Sequence, residues 1–135
     1  MARRERREGW PESLADYLGW VDCGESGGVH RTKFEIRPEH VAPNGFLQAG
    51  VVVSAADLCC ARGTFATIPE NASFTTVELK INLVGTATEG TVLCEATCEH
   101  SGRTTQVWDA KVVSEKSGRT IALFRCTQLI LYPGS

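Results

Sequence analysis

One stretch of the chain, Ala49–Ala61, is apolar or small at every position except Asp57. A helix that is apolar on all sides is normally buried. At about 13 residues, this helix is shorter than the ~20 residues that span a bilayer. The pattern therefore predicts an interior helix that carries a carboxyl group. Because an ionised group is costly in an apolar interior, we expect Asp57 either to find a partner or to serve the chemistry of the protein.

Outside this stretch, apolar and polar residues alternate in runs that are typical of half-buried strands. Two short strands and a short helix are predicted before the buried helix: 20–23, 29–37 and Pro11–Leu18. Gly63 and Pro69 indicate that the buried helix ends there and that a loop runs to Ser73. Four long strands with short, antiparallel connections are predicted in the remainder: Thr75–Leu83, Thr91–Glu99, Thr104–Val113 and Arg119–Leu131.

Together these elements predict one α+β domain over residues 11–135, preceded by a flexible arm over residues 1–10. A long helix that is apolar on every side needs cover on more than one side. A curved antiparallel sheet can wrap such a helix, and a second copy of the protein can cover the rest. This arrangement is the hotdog fold, with one long central helix, and it favours a dimer.

The overall charge limits the partners that we expect. The 135 residues carry a net charge of -2, with 42% apolar and 22% charged residues, as in an ordinary soluble domain. Neither nucleic acid nor a membrane is therefore predicted as a partner. Residues 1–10 contain four arginines without an apolar run behind them, which does not fit a secretory signal. We expect a cytoplasmic protein.

The cysteines and histidines do not form a recognisable metal site. The six cysteines contain no CxxC pair, and the three histidines form no cluster at zinc-binding spacing. We predict no metal and interpret the cysteines as reduced thiols that fill the core, including Cys59 and Cys60 on the helix and Cys94 and Cys98 on one strand face.

The loop that leads into the helix, Pro43–Gly50, offers a site for negative charge. The first turn of a helix leaves backbone N–H groups unpaired, and the helix dipole adds to their attraction for anions. Donors at Ala49 and Gly50 could stabilise a carbonyl that becomes an oxyanion under attack. A second interpretation is that Asn44 only forms a turn with the next glycine and that Gly50 only permits close packing. The loop alone favours this second interpretation.

The position of Asp57 bears on the choice between an oxyanion site and a plain turn at the start of the helix. Asp57 lies seven residues after Gly50, or roughly 10.5 Å along the same helix axis, which is too far for both to act on one carbonyl. If two such helices pack antiparallel across a two-fold axis, each Asp57 approaches the helix start of the other chain. The carboxylate could then attack an acyl carbon or activate a water. An acid satisfied by threonine or backbone donors, or one that reaches solvent, is an equally open interpretation.

Two further segments offer polar groups. Thr75 and Thr76 begin the strand after the helix, where a hydroxyl could bond Asp57 or the attacking water, although strand propensity also explains them, and Thr75 better than Thr76. A later turn offers groups that suit phosphate, with a plain hairpin as the simpler interpretation: Ser101, Gly102, Arg103 and Thr104. Trp108 is expected in the core or on a sheet face, with an acyl pocket as the second interpretation.

Residues from about 32 to 133 resemble the PaaI-like hotdog thioesterases of phenylacetate degradation and the 4-hydroxybenzoyl-CoA thioesterase of the second structural type. The strongest piece is Gly45–Gly50 (GFLQAG) followed by Asp57, where the family pattern is G-x-x-H-G-G with an acid seven residues after the last glycine. Thr76–Asn82 looks like the family's next strand. Thr104–Asp109 also resembles the penultimate strand of the hydroxybenzoyl-CoA enzyme.

The resemblance implies hydrolysis of an acyl-CoA thioester without a metal or redox cofactor. It implies that Asp57 is the catalytic carboxylate, working in the site of the partner subunit, and that Ala49 replaces the glycine whose backbone N–H polarises the carbonyl. Thr76 matches a polar position near the catalytic water in some members. The turn at 101–104 falls where relatives touch the phosphates or pantetheine of CoA. Members form dimers, often paired into tetramers.

Two departures from the family pattern matter. Gln48 and Ala49 stand where the family usually has His-Gly, so the backbone donor remains but the Ala49 methyl narrows the site or adjusts its geometry. Ala42 stands where many members carry Asn or Gln, so Asn44 or Gln48 would have to supply that amide. These departures motivate a second hypothesis, a non-catalytic protein that binds an acyl-CoA or an aromatic acid. A dehydratase on this fold ranks last, because the central helix carries no histidine.

Overall fold

The computed structural model describes residues 13–134 and contains a six-stranded antiparallel sheet with a long helix on one face. The predicted arm over residues 1–10 lies outside the described residues. The elements, apart from a turn of 3-10 helix at Pro38–His40, are α1 (Leu14–Leu18), β1 (Val21–Ser26), β2 (Val29–Glu35), α2 (Ala49–Thr67), β3 (Ser73–Leu83), β4 (Thr91–Ser101), β5 (Thr105–Ser114) and β6 (Thr120–Leu131). The strands lie in the order β1-β2-β4-β5-β6-β3. The predicted α+β hotdog fold is confirmed.

The first two strands form a tight hairpin. Gly27 and Gly28 connect them with φ angles of 61° and 80°, and a two-residue loop with positive φ at both positions matches the twist of the flanking strands. Thr32 and Phe34 of β2 face the helix and are buried, as the alternation predicts.

The central helix α2 is longer than the sequence predicts. It continues through Gly63 and ends at Thr67. A Cβ atom at position 63 would lie only 2.5 Å from the ring of Trp108. Glycine is needed there so that the helix can pack on the indole, and it does not end the helix. The predicted end at Ala61 is therefore wrong, whereas the predicted core position of Trp108 is confirmed.

Only one face of α2 is covered within the protomer. Small side chains on the sheet side, including Ala56, Cys59 and Cys60, are completely buried. The opposite face, which includes Leu58 and Phe65, is half-buried or exposed. The helix is long and apolar enough to cross a membrane by composition, but here it forms the core against the sheet. The expectation that it needs further cover is consistent with this geometry.

The cysteines are all free thiols, and most of them fill the core as predicted. Burial raises the pKa of Cys59 to about 11, so this thiol stays protonated and unreactive. Cys23 and Cys98 correct the prediction, because both are exposed. The register of β4 against β5 shifts between Cys98 and His100, close to the end of β4.

The edge strand β3 leaves apolar side chains uncovered. A shift in register between Thr76 and Glu78 places Val77 in a bulge, which interrupts the alternation predicted for the strand Thr75–Leu83. Leu79 and Leu83 lie on the helix side of the sheet but are 43% and 47% exposed. An apolar edge strand is a surface that proteins normally cover or pair, which fits the predicted second copy.

Gly63→Ala should destabilise the protein although alanine is the better helix former. The added Cβ would meet ring carbons of Trp108 at 2.5 and 2.6 Å, a cost at the upper end of about 1–3 kcal/mol for overpacking. This exceeds the roughly 1 kcal/mol that alanine gains over glycine in a helix. Thermal unfolding followed by circular dichroism should therefore show a lower Tm.

Gly50→Ala is the matched control on the same helix, because its added Cβ would meet no heavy atom of the described residues within 4 Å. Its Tm should be equal to that of the wild type or higher. An unchanged Tm for Gly63→Ala would contradict the packing of α2 on the indole.

Candidate active site

Asp57 lies midway along α2, at the border between the helix face on the sheet and the open face. The residue is half-buried, and it lines a cavity of about 380 Å³ between α1 and α2. Trp20, Leu58 and Phe65 supply apolar wall, and Arg62 adds a cation. The helix thus carries its one carboxyl to the wall of a mostly apolar cavity.

The Asp57 carboxyl is poorly satisfied. Its Oδ1 atom is buried and has no hydrogen-bond partner among the described residues. Burial raises the pKa of Asp57 above the ordinary aspartate value, and the nearby Thr76 hydroxyl opposes part of that rise. Buried polar groups with a purely structural role usually have their hydrogen-bond partners. The environment therefore favours a carboxyl that is used over one that is merely accommodated.

The start of α2 is open. Ala49 and Gly50 are exposed, and no acceptor among residues 13–134 contacts their backbone N–H groups. The first intrahelical bonds run from Val51 and Val52 to the carbonyl of Gln48, at 3.0 and 3.3 Å. Since a Cβ at Gly50 would meet nothing within 4 Å, packing inside the protomer does not require glycine there. Two backbone donors and free space remain at the positive end of the helix dipole.

A buried histidine holds the loop before this helix start. The backbone N–H of Gln48 donates to the carbonyl of His40 at 2.9 Å. The ring Nδ1 of His40 accepts from the backbone N–H of Arg37 at 2.9 Å, and Nε2–H donates to the carbonyl of Leu18 at 2.8 Å. Burial lowers the pKa of His40, so the ring is neutral in this role. His40 therefore has a structural role in this loop.

The two amides proposed from the sequence lie in different settings. Asn44 Oδ1 accepts from the backbone N–H of Phe46 at 3.1 Å, so this side chain is engaged in the turn. Gln48 is exposed and its side chain makes no capping bond to the helix. Of the two, Gln48 is the amide that remains available beside the open donors of Ala49.

The turn that the family resemblance relates to CoA binding joins β4 to β5 at one end of the sheet. Ser101, Arg103 and Thr104 are exposed, and the backbone N–H of Gly102 donates to the Thr105 carbonyl at 2.8 Å. No hydrogen bond among the described residues links this turn to Asp57 or to the start of α2. Within residues 13–134, no three His, Cys, Asp or Glu side chains converge as metal ligands.

Sequence reasoning missed a row of buried amides beneath the helix. Gln106 and Gln128 are cross-strand neighbours on β5 and β6 and are 3% and 0% exposed. Trp108 Nε1 donates to Gln106 Oε1 at 2.8 Å, and Thr76 Oγ1 donates to Gln128 Oε1 at 2.6 Å. The signal was available, because both glutamines occupy inward positions in strands whose other inward residues, apart from Ser114 at the end of β5, are apolar.

The family profile described as the thioesterase superfamily matches residues 44–121, more than half of the chain. The curated 1,4-dihydroxy-2-naphthoyl-CoA hydrolase of Listeria monocytogenes is 27% identical over 114 residues, which are 84% of this chain and 92% of that protein. The profile match includes the start of α2 and Asp57.

Solved structures share the fold. A thioesterase from Haemophilus influenzae superposes with a TM-score of 0.86 at 20% identity, covering 91% of this chain and 85% of its own. A thioesterase family protein from Silicibacter pomeroyi gives 0.82 at 26% identity, covering 88% and 89%. The Escherichia coli PaaI protein from the phenylacetic acid degradation operon gives 0.76 at 21% identity, covering 85% and 81%.

Asp57→Asn should raise the stability of the protein near neutral pH. Because the folded pKa of Asp57 lies above the ordinary value of 3.8, the protonated carboxyl favours the folded state below that value, and this contribution is lost as pH rises through the folded pKa. The gain in unfolding free energy from Asp57→Asn, measured by urea titration, should therefore be larger at pH 7.5 than at pH 3.5.

Asp109→Asn is the control for this measurement, because Asp109 pairs with Arg125 on the outer face of the sheet at 2.5 and 2.9 Å. It should show no such gain. A lower stability of Asp57→Asn than of the wild type at pH 7.5 would contradict the electrostatics described for the site.

Proposed function

Because the chain belongs to the thioesterase superfamily, we propose that it hydrolyses acyl-CoA thioesters to a free acid and CoA. The observation that carries this proposal is the Asp57 carboxyl, which lines a cavity and has a buried oxygen without a hydrogen-bond partner among residues 13–134. The Listeria relative is named as a hydrolase of an aryl-CoA thioester, which supports CoA thioesters as the substrate class.

The proposed site is shared between two protomers. Asp57 and the backbone N–H of Gly50 lie on one helix, roughly 10.5 Å apart along its axis, and Ala49 is one residue farther away, so one chain does not bring these groups to a single carbonyl. The uncovered apolar residues of β3 support a partner on that side, and a two-fold axis would place each Asp57 opposite the other helix start. We propose a homodimer, with a pair of dimers as a further level of assembly.

The helix start serves as the oxyanion site. The backbone N–H groups of Ala49 and Gly50 are unpaired within the described chain and point out of the first turn. They can donate to the thioester oxygen as it gains charge, and one such donor is typically worth 10²–10³ in kcat. Gln48 is exposed beside them and supplies the side-chain amide that stands in the place of the family's histidine.

Asp57 serves as the general base. It takes a proton from a water, the water oxygen attacks the thioester carbon, and the resulting oxyanion collapses as the C–S bond breaks. The CoA thiolate leaves and takes the proton that Asp57 had accepted, which returns Asp57 to the carboxylate. The raised pKa supports this role, because it makes the carboxylate a stronger base than an ordinary aspartate. Direct attack by Asp57, with water hydrolysing the resulting anhydride, is the other route.

The substrate groups have candidate positions. The apolar cavity walls of Trp20, Leu58 and Phe65 suit an aromatic acyl group. The exposed turn from Ser101 to Thr104, with the guanidinium of Arg103, suits the phosphates of CoA. The reaction uses only water and thioester and transfers no electrons, so we propose no redox cofactor and no metal. We place the enzyme in the cytoplasm, where its free thiols stay reduced.

A second candidate function is a binding protein for acyl-CoA without turnover. The observation that favours it is the loop before the helix, where Ala42 offers no amide and Asn44 is engaged with Phe46. Such a protein would bind an acyl-CoA tightly and release no thiol.

Thiol release from a panel of acyl-CoA and aryl-CoA esters tests the proposal. The wild type should turn over, and both Asp57→Asn and Asp57→Ala should lose roughly 10²–10⁴ in kcat/KM, the usual contribution of a general base. The wild-type kcat/KM should fall as pH drops through the pKa of Asp57, at a value above 3.8, because the protonated carboxyl cannot accept a proton.

Asp109→Asn, on the outer face of the sheet, should keep wild-type activity and serves as the control. Full activity in both Asp57 variants would remove this residue from the mechanism. Tight binding without any thiol release would favour the binding protein.

A further inference from the structure

A fully buried glutamine, Gln128, is connected to the Asp57 carboxyl through one intervening side chain, that of Thr76. Gln128 of β6 is the register partner of Thr76 on β3, and its side chain has no solvent exposure. The Thr76 hydroxyl donates to Gln128 Oε1 at 2.6 Å. The amide nitrogen, Nε2, is buried and has no partner among the described residues.

Two buried polar atoms that have no hydrogen-bond partner among the described residues therefore lie near the Thr76 hydroxyl. Gln128 Nε2 is a donor without an acceptor, and Asp57 Oδ1 is an acceptor without a donor. The Thr76 hydroxyl lies near both, but it has a single proton, and here that proton goes to Gln128. A buried polar group without a partner is costly, so two of them beside the same hydroxyl require an explanation.

A rotation of the Gln128 amide by 180° about its terminal bond gives a hydrogen-bond partner to both Gln128 Nε2 and Asp57 Oδ1. The rotation exchanges Oε1 and Nε2, so that Nε2–H donates to Thr76 Oγ1. The hydroxyl proton is then released to donate to Asp57 Oδ1. Each of the two unmet atoms gains a partner from one change that moves no backbone atom.

The oxygen displaced by this rotation also has a neighbour. Gln106 is the register partner of Gln128 on the other side, on the same inner face. Its Oε1 accepts from Trp108 at 2.8 Å and its Nε2 donates to Thr67 at 3.2 Å, which leaves one N–H of that amide unused. Side chains of directly opposed residues lie within reach of each other, so this N–H can serve Gln128 Oε1.

We propose that Gln128 is a positioning residue for the reaction, which donates to Thr76 so that Thr76 donates to the buried oxygen of Asp57. The second oxygen, Oδ2, is thereby turned to the cavity, where the attacking water is activated. Gln128 touches neither substrate nor water and acts only through Thr76. The inference rests on the proposed function for the role of Asp57. The titration of Asp57 that tests it does not require turnover.

Few other charged groups affect Asp57. On its own helix, Arg62 lies at the cavity wall and Cys60 lies beneath. Contact with the Cys126 thiol of β6, together with burial, raises the pKa of Cys60, so Cys60 is neutral in the working range. From β3 the Thr76 hydroxyl lies beside Asp57, and it does not ionise. The residues at and before α1 that line the same cavity are Ser13, Leu14 and Ala15, which carry no charge.

The test is the pKa of Asp57 in the full chain, read from the pH dependence of its carboxyl ¹³C shift. Thr76→Val should raise this pKa by roughly one unit, because a donor to the ionised form is lost. Gln128→Met should raise it by roughly half a unit, because the hydroxyl loses the amide that orients and polarises it. In the Thr76→Val background, Gln128→Met should have no further effect.

The direction of the shift decides between the two amide orientations. If Gln128 instead holds the hydroxyl proton, Gln128→Met releases that proton to Asp57 and the pKa falls. A fall or an unchanged pKa overturns the proposal. Gln128→Leu is the second variant if Gln128→Met does not fold. Thr32→Val removes a buried hydroxyl from the same inner face on β2 and should leave the pKa of Asp57 unchanged.

Turnover provides the second readout. Gln128→Met should lower kcat several-fold with KM unchanged, and should shift the acid limb of kcat/KM in the same direction as the titration. Thr76→Ser, which keeps the hydroxyl, should retain the wild-type profile. A wild type without hydrolysis would defeat the proposed function but leave the titration decisive for Gln128. Normal hydrolysis with an unshifted pKa in Gln128→Met would defeat only this inference.

Discussion

The close packing of α2 on the inner face of the sheet is the constraint on which the rest of the structure depends. Small side chains such as Ala56 and Cys60 are completely buried, and Gly63 leaves room for the ring of Trp108. This packing fixes the rotation of the helix about its axis. Asp57 is therefore held at the border of the core, where it loses much of its hydration without gaining an ionic partner among the described residues.

The same packing leaves apolar surface uncovered on one side of the protomer. The open face of α2, the apolar residues of the edge strand β3 and the empty space over Gly50 are each explained poorly by one protomer. A second copy explains all three, because it covers apolar surface and brings an acid to a helix start. In the proposed mechanism the carboxyl and the backbone donors lie on a single rigid helix, so the mechanism requires a site that two copies share.

The elements and the fold class were predictable because they depend on periodicity, which is a local property of the sequence. Asp57 was predictable for the same reason, as the one acid in an apolar helix. The end of α2 was not, because the role of Gly63 is decided by Trp108, 45 positions later. The bulge at Val77 and the exposure of Cys98 likewise lie where the strand pairing shifts in register, which depends on the partner strands. The buried pair of Gln128 and Thr76 required the strand register, which no local pattern supplies.

The most direct test of the shared site uses mixed dimers. Asp57→Ala removes the acid, and Gly50→Val fills the space over the helix start, so each homodimer should be inactive. A mixed dimer carries one site with neither defect, because Asp57 comes from the Gly50→Val subunit and the open helix start comes from the other. Mixed dimers isolated through two different tags should recover about half of the wild-type activity. A mixed dimer that forms but recovers no activity, or a protein that is monomeric in analytical ultracentrifugation while it hydrolyses thioesters, would contradict the account.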